Sequence, residues 1–150
     1  MTIRNIDELK GAIASGAIDT VVVGATDMQG RLQGKRIHGK FFVEDTLKNG
    51  TEGCNYLLAV DIDMNTVQGY DVSSWETGYG DMGMAPDLNT VRALPWHEKT
   101  AFVTADLVDH HHHGIEVSPR QVLKKQLERD RKSTRLNSSH VSESRMPSSA

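Results

Sequence analysis

The pattern of apolar and polar residues predicts a helix at the start of the chain. Ile6 and Ile13 lie two helical turns apart and so share one face. Asn5 and Glu8 stand at the spacing of a capping box, in which two side chains satisfy free backbone N–H groups at a helix start. A helix is therefore expected within residues 1–17.

Patterns that favour strands follow this helix. β-Branched and apolar residues fill 20–26, and a turn at 27–30 would return the chain over 31–38 as the second strand of a hairpin. Residues 41–49, followed by a glycine, fit a short helix. Further strands are predicted at 55–61, 90–94 and 100–108. A short sheet crossed by one helix is what an α+β domain of the β-grasp type would give, and we assign it to residues 18–113.

Residues 79–90 combine glycines, acids and a proline where a core element would show apolar periodicity. Gly83 allows backbone conformations closed to other residues, and Pro86 fixes its own φ angle. We therefore predict a shaped loop that holds Asp81 and Asp87 on a braced frame.

A last helix is predicted over residues 119–130, where Leu123 and Leu127 belong to one apolar face. Seven serines and no aromatic residue occur in 131–150, a composition too polar to form a core. We expect this tail to be disordered and non-native.

Charge and composition narrow the class of partner. Residues 1–130 carry 13 Lys and Arg residues against 19 Asp and Glu residues, and an acidic domain is not expected to bind nucleic acid. The single cysteine, Cys54, cannot form an internal disulfide, and the sequence has no secretory signal or long apolar run. We predict a cytoplasmic protein that does not enter a membrane.

Six acidic residues crowd the region between the predicted strands. They are Asp61, Asp63, Asp71, Glu76, Asp81 and Asp87. A cluster of carboxylates can attract a cation, accept a proton or raise the pKa of a neighbour. Their spacing fits no metal-binding template, so no metal site is assigned. On composition alone, a solvated acidic loop is the simpler interpretation.

Three ordered motifs resemble the glutamine synthetase family. The first is similar to the acidic loop of that family's amino-terminal domain, and consists of Gly80-Asp81, Pro86-Asp87, Thr90, Arg92 and Pro95-Trp96. Residues 27–35 are similar to the family's D-x-x-G-x-x-R-G-K hairpin, with Gln33 where arginine is usual. Residues 118–123 are similar to the D-P-R-x-V-L that opens the catalytic domain, with Ser118 in place of the acid. This similarity implies that residues 114–130 are a linker and the first helix of a truncated catalytic domain.

The resemblance implies the amino-terminal β-grasp domain of an ATP-dependent ligase that joins glutamate to ammonia or another amine. In the family this acidic loop enters a neighbouring subunit's active site, where an aspartate helps to bind and deprotonate the amine. Carried over, that role falls on Asp61, with Asp63 and Asp81 as supporting catalytic candidates. ATP and Mg²⁺ or Mn²⁺ would bind in the missing catalytic domain, and the complete homo-oligomer would form dodecameric rings.

The resemblance leaves two positions for the catalytic aspartate. Glutamine-forming members carry D-G-S-S followed by a tryptophan, whereas this chain has Asp61-Ile62-Asp63-Met64 and later Asp71-Val72-Ser73-Ser74-Trp75. A position at the end of a strand favours Asp61. The local sequence favours Asp71, and makes Asp71, Ser73, Ser74 and Trp75 substrate-binding candidates. The altered loop would suit an amine other than ammonia, such as a polyamine or ethanolamine.

Two functions of different classes are therefore expected. In the first, the chain is a ligase fragment that is inactive alone and binds no cofactor. In the second, it is a free-standing β-grasp binding module without catalysis. The helix at 119–130 favours the first function, because a self-contained module has no use for an amphipathic helix that leads out of it.

Overall fold

The computed structural model describes residues 2–71 and 78–143, with side chains up to residue 133. Its elements in chain order are α1 (Ile6–Ala14), β1 (Thr20–Thr26), β2 (Leu32–His38), α2 (Gly39–Phe41), α3 (Leu47–Asn49), β3 (Thr51–Cys54), β4 (Asp81–Pro86), β5 (Arg92–Ala93), β6 (Thr100–Val108) and α4 (Pro119–Glu143). Short 3₁₀ helices occupy Asn55–Leu58 and Leu88–Thr90. The candidate residues Ser73, Ser74 and Trp75 lie outside the described residues.

The strands form one sheet in the order β2-β1-β6-β4-β3, and β5 also pairs with β6. β1 and β6 run parallel, and each of the other pairs is antiparallel. A parallel pair needs a long crossover, and the chain between β1 and β6 supplies it with the helical segment that follows the first hairpin. This is the β-grasp arrangement, so the predicted α+β fold is confirmed.

Helix α1 begins as its sequence predicts. The Asn5 side chain accepts a hydrogen bond from the backbone N–H of Glu8 at 2.9 Å. The Glu8 carboxylate in turn accepts a bond from the backbone N–H of Arg4, one residue before the helix cap, at 2.8 Å. Leu9 and Ile13 are buried against the sheet's core. The capping box and the apolar face therefore both form.

The segment between β2 and β3 is helical throughout residues 39–49. A π-helical turn, Phe42–Thr46, joins α2 to α3. Phe42 is completely buried in the common core, which makes it the main anchor of this segment. Gly50 ends the segment with a φ angle of 73°, a conformation that favours glycine. The predicted short helix with its glycine stop is confirmed.

The prediction of a loop over residues 79–90 is wrong for its first half, because β4 is an inner strand of the sheet. Met82 and Met84 alternate along β4 and are buried, and this alternation supplies the core contact that a strand needs. Gly83 lies between them because a Cβ atom there would approach the Val108 side chain to 2.6 Å. The glycine that suggested a loop thus permits close strand packing.

The strand predicted at 55–61 is also wrong. The edge strand of the sheet is β3, which pairs with β4 over Thr51–Cys54. After it, Asn55–Leu58 turns into a 3₁₀ helix that directs Leu58 into the core. Leu58, Ala59 and Val60 are all buried, so core packing without strand pairing satisfies this apolar stretch.

Helix α4 begins at Pro119, as predicted, but continues to Glu143 instead of ending near residue 130. No glycine or proline interrupts residues 120–143, so the backbone has no strong helix breaker there. The described side chains beyond Lys125 are exposed. The division into domains, and the non-native origin of the tail, stay predictions.

Candidate functional site

The candidate site is a tight turn closed on the Asp61 carboxylate. Its Oδ1 atom accepts bonds from the backbone N–H groups of Asp63 and Asn65 at 2.9 and 2.8 Å, and its Oδ2 atom accepts one from the Asn65 side chain at 3.1 Å. A bridge between Val60 and Thr66 joins the two arms of the turn. We call residues 60–66 the acidic turn.

These contacts hold Asp61 as an anion. Hydrogen bonds from the Asn65 side chain and backbone lower the pKa of the Asp61 carboxyl, with smaller contributions from the Asp63 N–H and the Arg31 charge. A lowered pKa weakens the carboxylate as a proton acceptor and preserves its charge. The turn is therefore better suited to attract a cation than to remove a proton from one.

The turn of the β1–β2 hairpin is built on a second carboxylate, Asp27, which is 2% exposed. Asp27 Oδ1 accepts bonds from the N–H groups of Gln29 and Arg31 at 3.0 and 2.8 Å. Asp27 Oδ2 accepts bonds from the Arg31 Nε and Gln33 Nε2 atoms at 2.8 and 3.2 Å. Burial raises the pKa of Asp27, but these bonds outweigh burial and hold its pKa below the ordinary value.

The hairpin turn reaches across to the acidic turn. Arg31 donates from Nη1 to the Ile62 carbonyl at 2.6 Å and from Nη2 to the Asp61 carbonyl at 3.2 Å. Gln29 donates from Nε2 to the Val60 carbonyl at 2.7 Å. Three successive carbonyls of the acidic turn are thus bound by the hairpin, so the position of Asp61 depends on residues about 30 positions earlier in the chain.

Sequence analysis missed Arg31 and Gln29 as parts of the site. Both lie inside the hairpin motif that carried the resemblance. Their partners are main-chain carbonyls, which every residue has, so no pairing of residue types could have indicated the contact. The arrangement of turn residues around Asp27 was the available signal.

The structure places the remaining candidates in different elements. Asp63 is an exposed member of the acidic turn, whereas Asp81 is the first residue of β4, where it is exposed and pairs with Cys54. Asp71 is exposed and borders the region that the structure does not describe. The structure therefore joins Asp61 with Asp63, and the choice between Asp61 and Asp71 stays a prediction.

A second ion cluster connects α4 to the sheet. Arg120 binds Asp87 through Nη2, and binds Asp106 through Nε at 2.7 Å. Lys124 donates to the other oxygen of Asp106 at 2.5 Å. Burial raises the pKa of Asp106, but the bonds and charges of Lys124 and Arg120 outweigh burial and hold this pKa below its ordinary value. Asp87, predicted as a loop acid, is thus a structural partner of the last helix.

Within the described residues, no group of three or more His, Cys, Asp or Glu side chains could hold a metal ion. The four histidines at 110–113 form an exposed turn, in which two of their N–H groups donate to Asp109. No helix in the described ranges is long and apolar enough to cross a membrane.

Comparison with known proteins identifies relatives of this domain. No protein-family model matches the chain. The chain is 56% identical over 124 residues to gamma-glutamylethanolamide synthetase of Streptomyces coelicolor, covering 83% of the chain and 27% of the relative. It is 32% identical over 126 residues to glutamate–isopropylamine ligase of Pseudomonas sp., and this match covers 84% of the chain and 28% of the relative.

The chain belongs to the glutamine synthetase family. It spans about a quarter of the length of these two relatives. Two solved structures share the fold at low sequence identity. One is a complex of GmaS with ADP, which has a TM-score of 0.63 at 19% identity and for which the match covers 83% of this chain and 26% of the GmaS chain. The other is a glutamine synthase homologue, which has a TM-score of 0.62 at 20% identity and for which the match covers 77% of this chain and 27% of the homologue. The resemblance predicted from the three motifs is confirmed.

Proposed function

We propose that this chain supplies the amine-binding side of an ATP-dependent glutamate–amine ligase, and that Asp61 is the group that binds the amine. The observation that carries the proposal is the acidic turn, in which the half-buried Asp61 carboxylate is held ionised by its own loop and the turn is fixed by the hairpin. Family membership supports the reaction class, because the named relatives are ligases that join glutamate to an amine.

The groups that carry out the reaction are shared between this chain and the rest of the enzyme. A carboxylate such as that of glutamate becomes a good electrophile when ATP phosphorylates it and leaves as ADP. The ammonium form of the amine must first lose a proton to water or a base of the enzyme. The neutral amine then attacks the acyl carbon, and the C–N bond forms as the C–O bond to phosphate breaks and the second proton is released. The described residues do not provide a metal ligand set, so we assign ATP and Mg²⁺ or Mn²⁺ to the part of the enzyme beyond the region that this chain matches. Titration calorimetry of this chain with Mg²⁺ and ATP should therefore show no micromolar binding.

The part played by Asp61 follows from its charge state. An amine in water is mostly the ammonium form, which an anionic carboxylate attracts and orients. Because the pKa of Asp61 is lowered, we assign it to binding and orientation of the cation, and less to removal of its proton. Asp63 adds a second exposed negative charge in the same turn.

The amine is proposed to be an organic amine, with ethanolamine the first candidate to test. Ile62 and Met64 stand where glutamine-forming members have D-G-S-S, and their exposed apolar side chains flank Asp63. Apolar groups beside a carboxylate suit a cation that carries carbon atoms better than they suit ammonium itself. The two relatives named for ethanolamide and isopropylamine products support this class.

The test replaces Asp61 with alanine in the complete enzyme that contains this domain. We expect the KM for the amine to rise and amide formation to fall, while the KM for glutamate stays close to its original value. Asp63→Ala should have a smaller effect, and Asp7→Ala, an exposed acid on α1, serves as the matched control. If Asp61→Ala left both amine parameters unchanged while Asp71→Ala raised the KM for the amine, Asp71 would hold the role.

The homo-oligomer is also part of the proposal, with the acidic turn acting in a neighbouring subunit. Mixing two impaired variants at low amine concentration tests this point. Subunits with Asp61→Ala are combined with subunits that are defective only in the catalytic portion. Partial recovery of activity is expected if sites are shared between subunits. Recovery no greater than that of either variant alone would show that Asp61 acts within its own subunit.

The exposed face of α4 favours this function over a free-standing binding module. Leu123 and Leu127 are 57% and 49% exposed, and Val122 is 45% exposed. Apolar side chains grouped along a helix favour packing against further protein. The cytoplasmic location stays a prediction from the sequence.

A further inference from the structure

We infer that Arg31 is a positioning residue that sets the Asp61 carboxylate for the amine, an inference that rests on the proposed function of Asp61. Arg31 touches the site only through the main chain. Its two terminal nitrogens bind the carbonyls of Asp61 and Ile62, the two peptide groups that follow the Asp61 Cα atom. The orientation of those two peptide groups determines where the acidic turn, and with it Asp61, lies against the hairpin.

The shape of the guanidinium makes this contact specific. Its Nε atom is bound to Asp27 at 2.8 Å while its two terminal nitrogens bind the acidic turn. A planar group with fixed donor directions can make all three bonds at once, whereas a lysine ammonium has a single nitrogen. Arg31 therefore transmits the position of the hairpin to the acidic turn.

The anchor behind Arg31 is rigid. Asp27 is buried and is itself held by the N–H groups of Gln29 and Arg31. A buried, fully bonded carboxylate has little freedom to move, because each lost bond would leave a buried polar atom unsatisfied. The sheet end at β1 and β2 thus serves as the fixed reference for Asp61.

The acidic turn depends on contacts from outside the turn to keep its conformation. Met64 adopts a left-handed conformation with a φ angle of 67°, which is unfavourable for a residue with a side chain. Asp63 and Ile62 are exposed, so little core packing compensates for this strain. The turn is anchored by buried Val60 at its start, and beyond Val60 it is tied to the hairpin by the bonds from Arg31 and Gln29 and by a weaker contact of Gln33 Nε2 with Met64 Sδ at 3.7 Å.

The first experiment measures the Asp61 carboxyl by ¹³C NMR during a pH titration of this chain. In Arg31→Lys, which keeps a cation beside Asp27, we expect the pKa of Asp61 to rise toward its ordinary value as the turn loosens. Arg36→Lys, on the exposed part of β2, is the matched control and should leave it unchanged. The paired variant Asp27→Asn with Arg31→Gln repeats the test without a buried unpaired charge. An unchanged Asp61 titration in both Arg31 variants would overturn the inference.

The second experiment uses the complete enzyme. Misplacement of a binding group by about 1 Å can reduce rates on the order of 100-fold, so Arg31→Lys should raise the KM for the amine by roughly tenfold or more with the KM for glutamate unchanged. Equal losses for both substrates would indicate a merely structural role and would contradict the inference. If Asp61→Ala raised the KM for the amine and Arg31→Lys did not, only the inference about Arg31 would be wrong. If Asp61→Ala itself had no effect, the proposed function would fail, whatever Arg31 does to the Asp61 titration.

Discussion

Two arginines in this domain make similar contacts with different consequences. Arg31 and Arg120 both bind aspartate through Nε and use another nitrogen to reach a second segment of the chain. Arg31 joins the hairpin to an exposed turn, whereas Arg120 joins helix α4 to the sheet. The side chain of Asp27 is 1% exposed, but the side chains of Asp87 and Asp106 are 19% and 26% exposed.

This difference in burial indicates what each cluster contributes. A buried carboxylate that loses its partner keeps the full cost of its lost hydration, while a partly exposed one regains water. The Arg31 cluster should therefore be necessary for the fold of the hairpin and for the place of Asp61. The Arg120 cluster should mainly fix the direction in which α4 leaves the sheet.

The largest expected effect comes from Arg31→Ala. Leaving Asp27 buried and unpaired should lower the free energy of unfolding by about 3 to 5 kcal/mol, measured by urea denaturation of this chain. The paired variant Asp27→Asn with Arg31→Gln removes both charges and should lose less. If the single and paired variants lost equal stability, burial of an unpaired Asp27 charge would not be the cause.

The next largest effect should be a difference between the Arg31 and Arg120 clusters in how much stability each loses at low pH. The pKa of Asp27 is lowered in the folded state, so its contribution is fully present above the unfolded pKa of about 3.9 and is lost as pH falls through the lower folded value. Thermal melts between pH 6 and pH 2.5 should show this loss. Asp27→Asn should flatten the acid limb more than Asp106→Asn, and the reverse order would contradict the comparison of burial.

A smaller effect is expected for Arg120→Ala. Its partners are partly exposed, so we expect a loss of about 1 kcal/mol in global stability. Hydrogen exchange should show faster opening in the first turns of α4, with β6 still protected. Lys125→Ala, which removes an exposed pair with Glu116, is the control. Unchanged exchange in α4 would mean that the Arg120 bonds do not hold the helix.

The smallest effect should follow removal of residues 131–150. The described side chains of α4 beyond Lys125 are exposed, and Lys132 binds Glu128 of the same helix. Substitutions at such surfaces usually change stability within about 0.5 kcal/mol, so the melting temperature should shift by only about 1 °C or 2 °C. A drop of about 10 °C would show that the tail packs against the sheet.

Local patterns predicted those parts of the fold whose contacts are close in the sequence. The Asn5 cap and the hairpin turn with Gly30 depend on neighbours within a few residues, and β1 was predicted from its own run of β-branched and apolar residues. β4 was missed because its burial depends on Met82 and Met84 facing a core built elsewhere, and because Gly83 is required by Val108 on another strand. The alternation of Met82 and Met84 is a local signal, but over three residues among glycines and a proline it does not distinguish a strand from a loop.

The same limit applies to the site. The motifs indicated the acidic region and named Asp61, because acidic residue types are visible in the sequence. The contacts that fix Asp61 join residues about 30 positions apart and end on carbonyl groups. Arg120 meets Asp87 across 33 positions. Residue types could not predict either set of contacts without the sheet that brings the segments together.

Separation of the two chemical steps in the complete enzyme tests the central claim most directly. Rapid-quench measurements with Asp61→Ala compare glutamate-dependent ADP formation with amide formation from the amine. If Asp61 binds the amine, amide formation should fall by an order of magnitude or more at low amine concentration, while ADP formation stays nearly unchanged. Equal losses in both steps, or full amide formation at low amine concentration, would contradict the assignment of this domain to the amine side of the reaction.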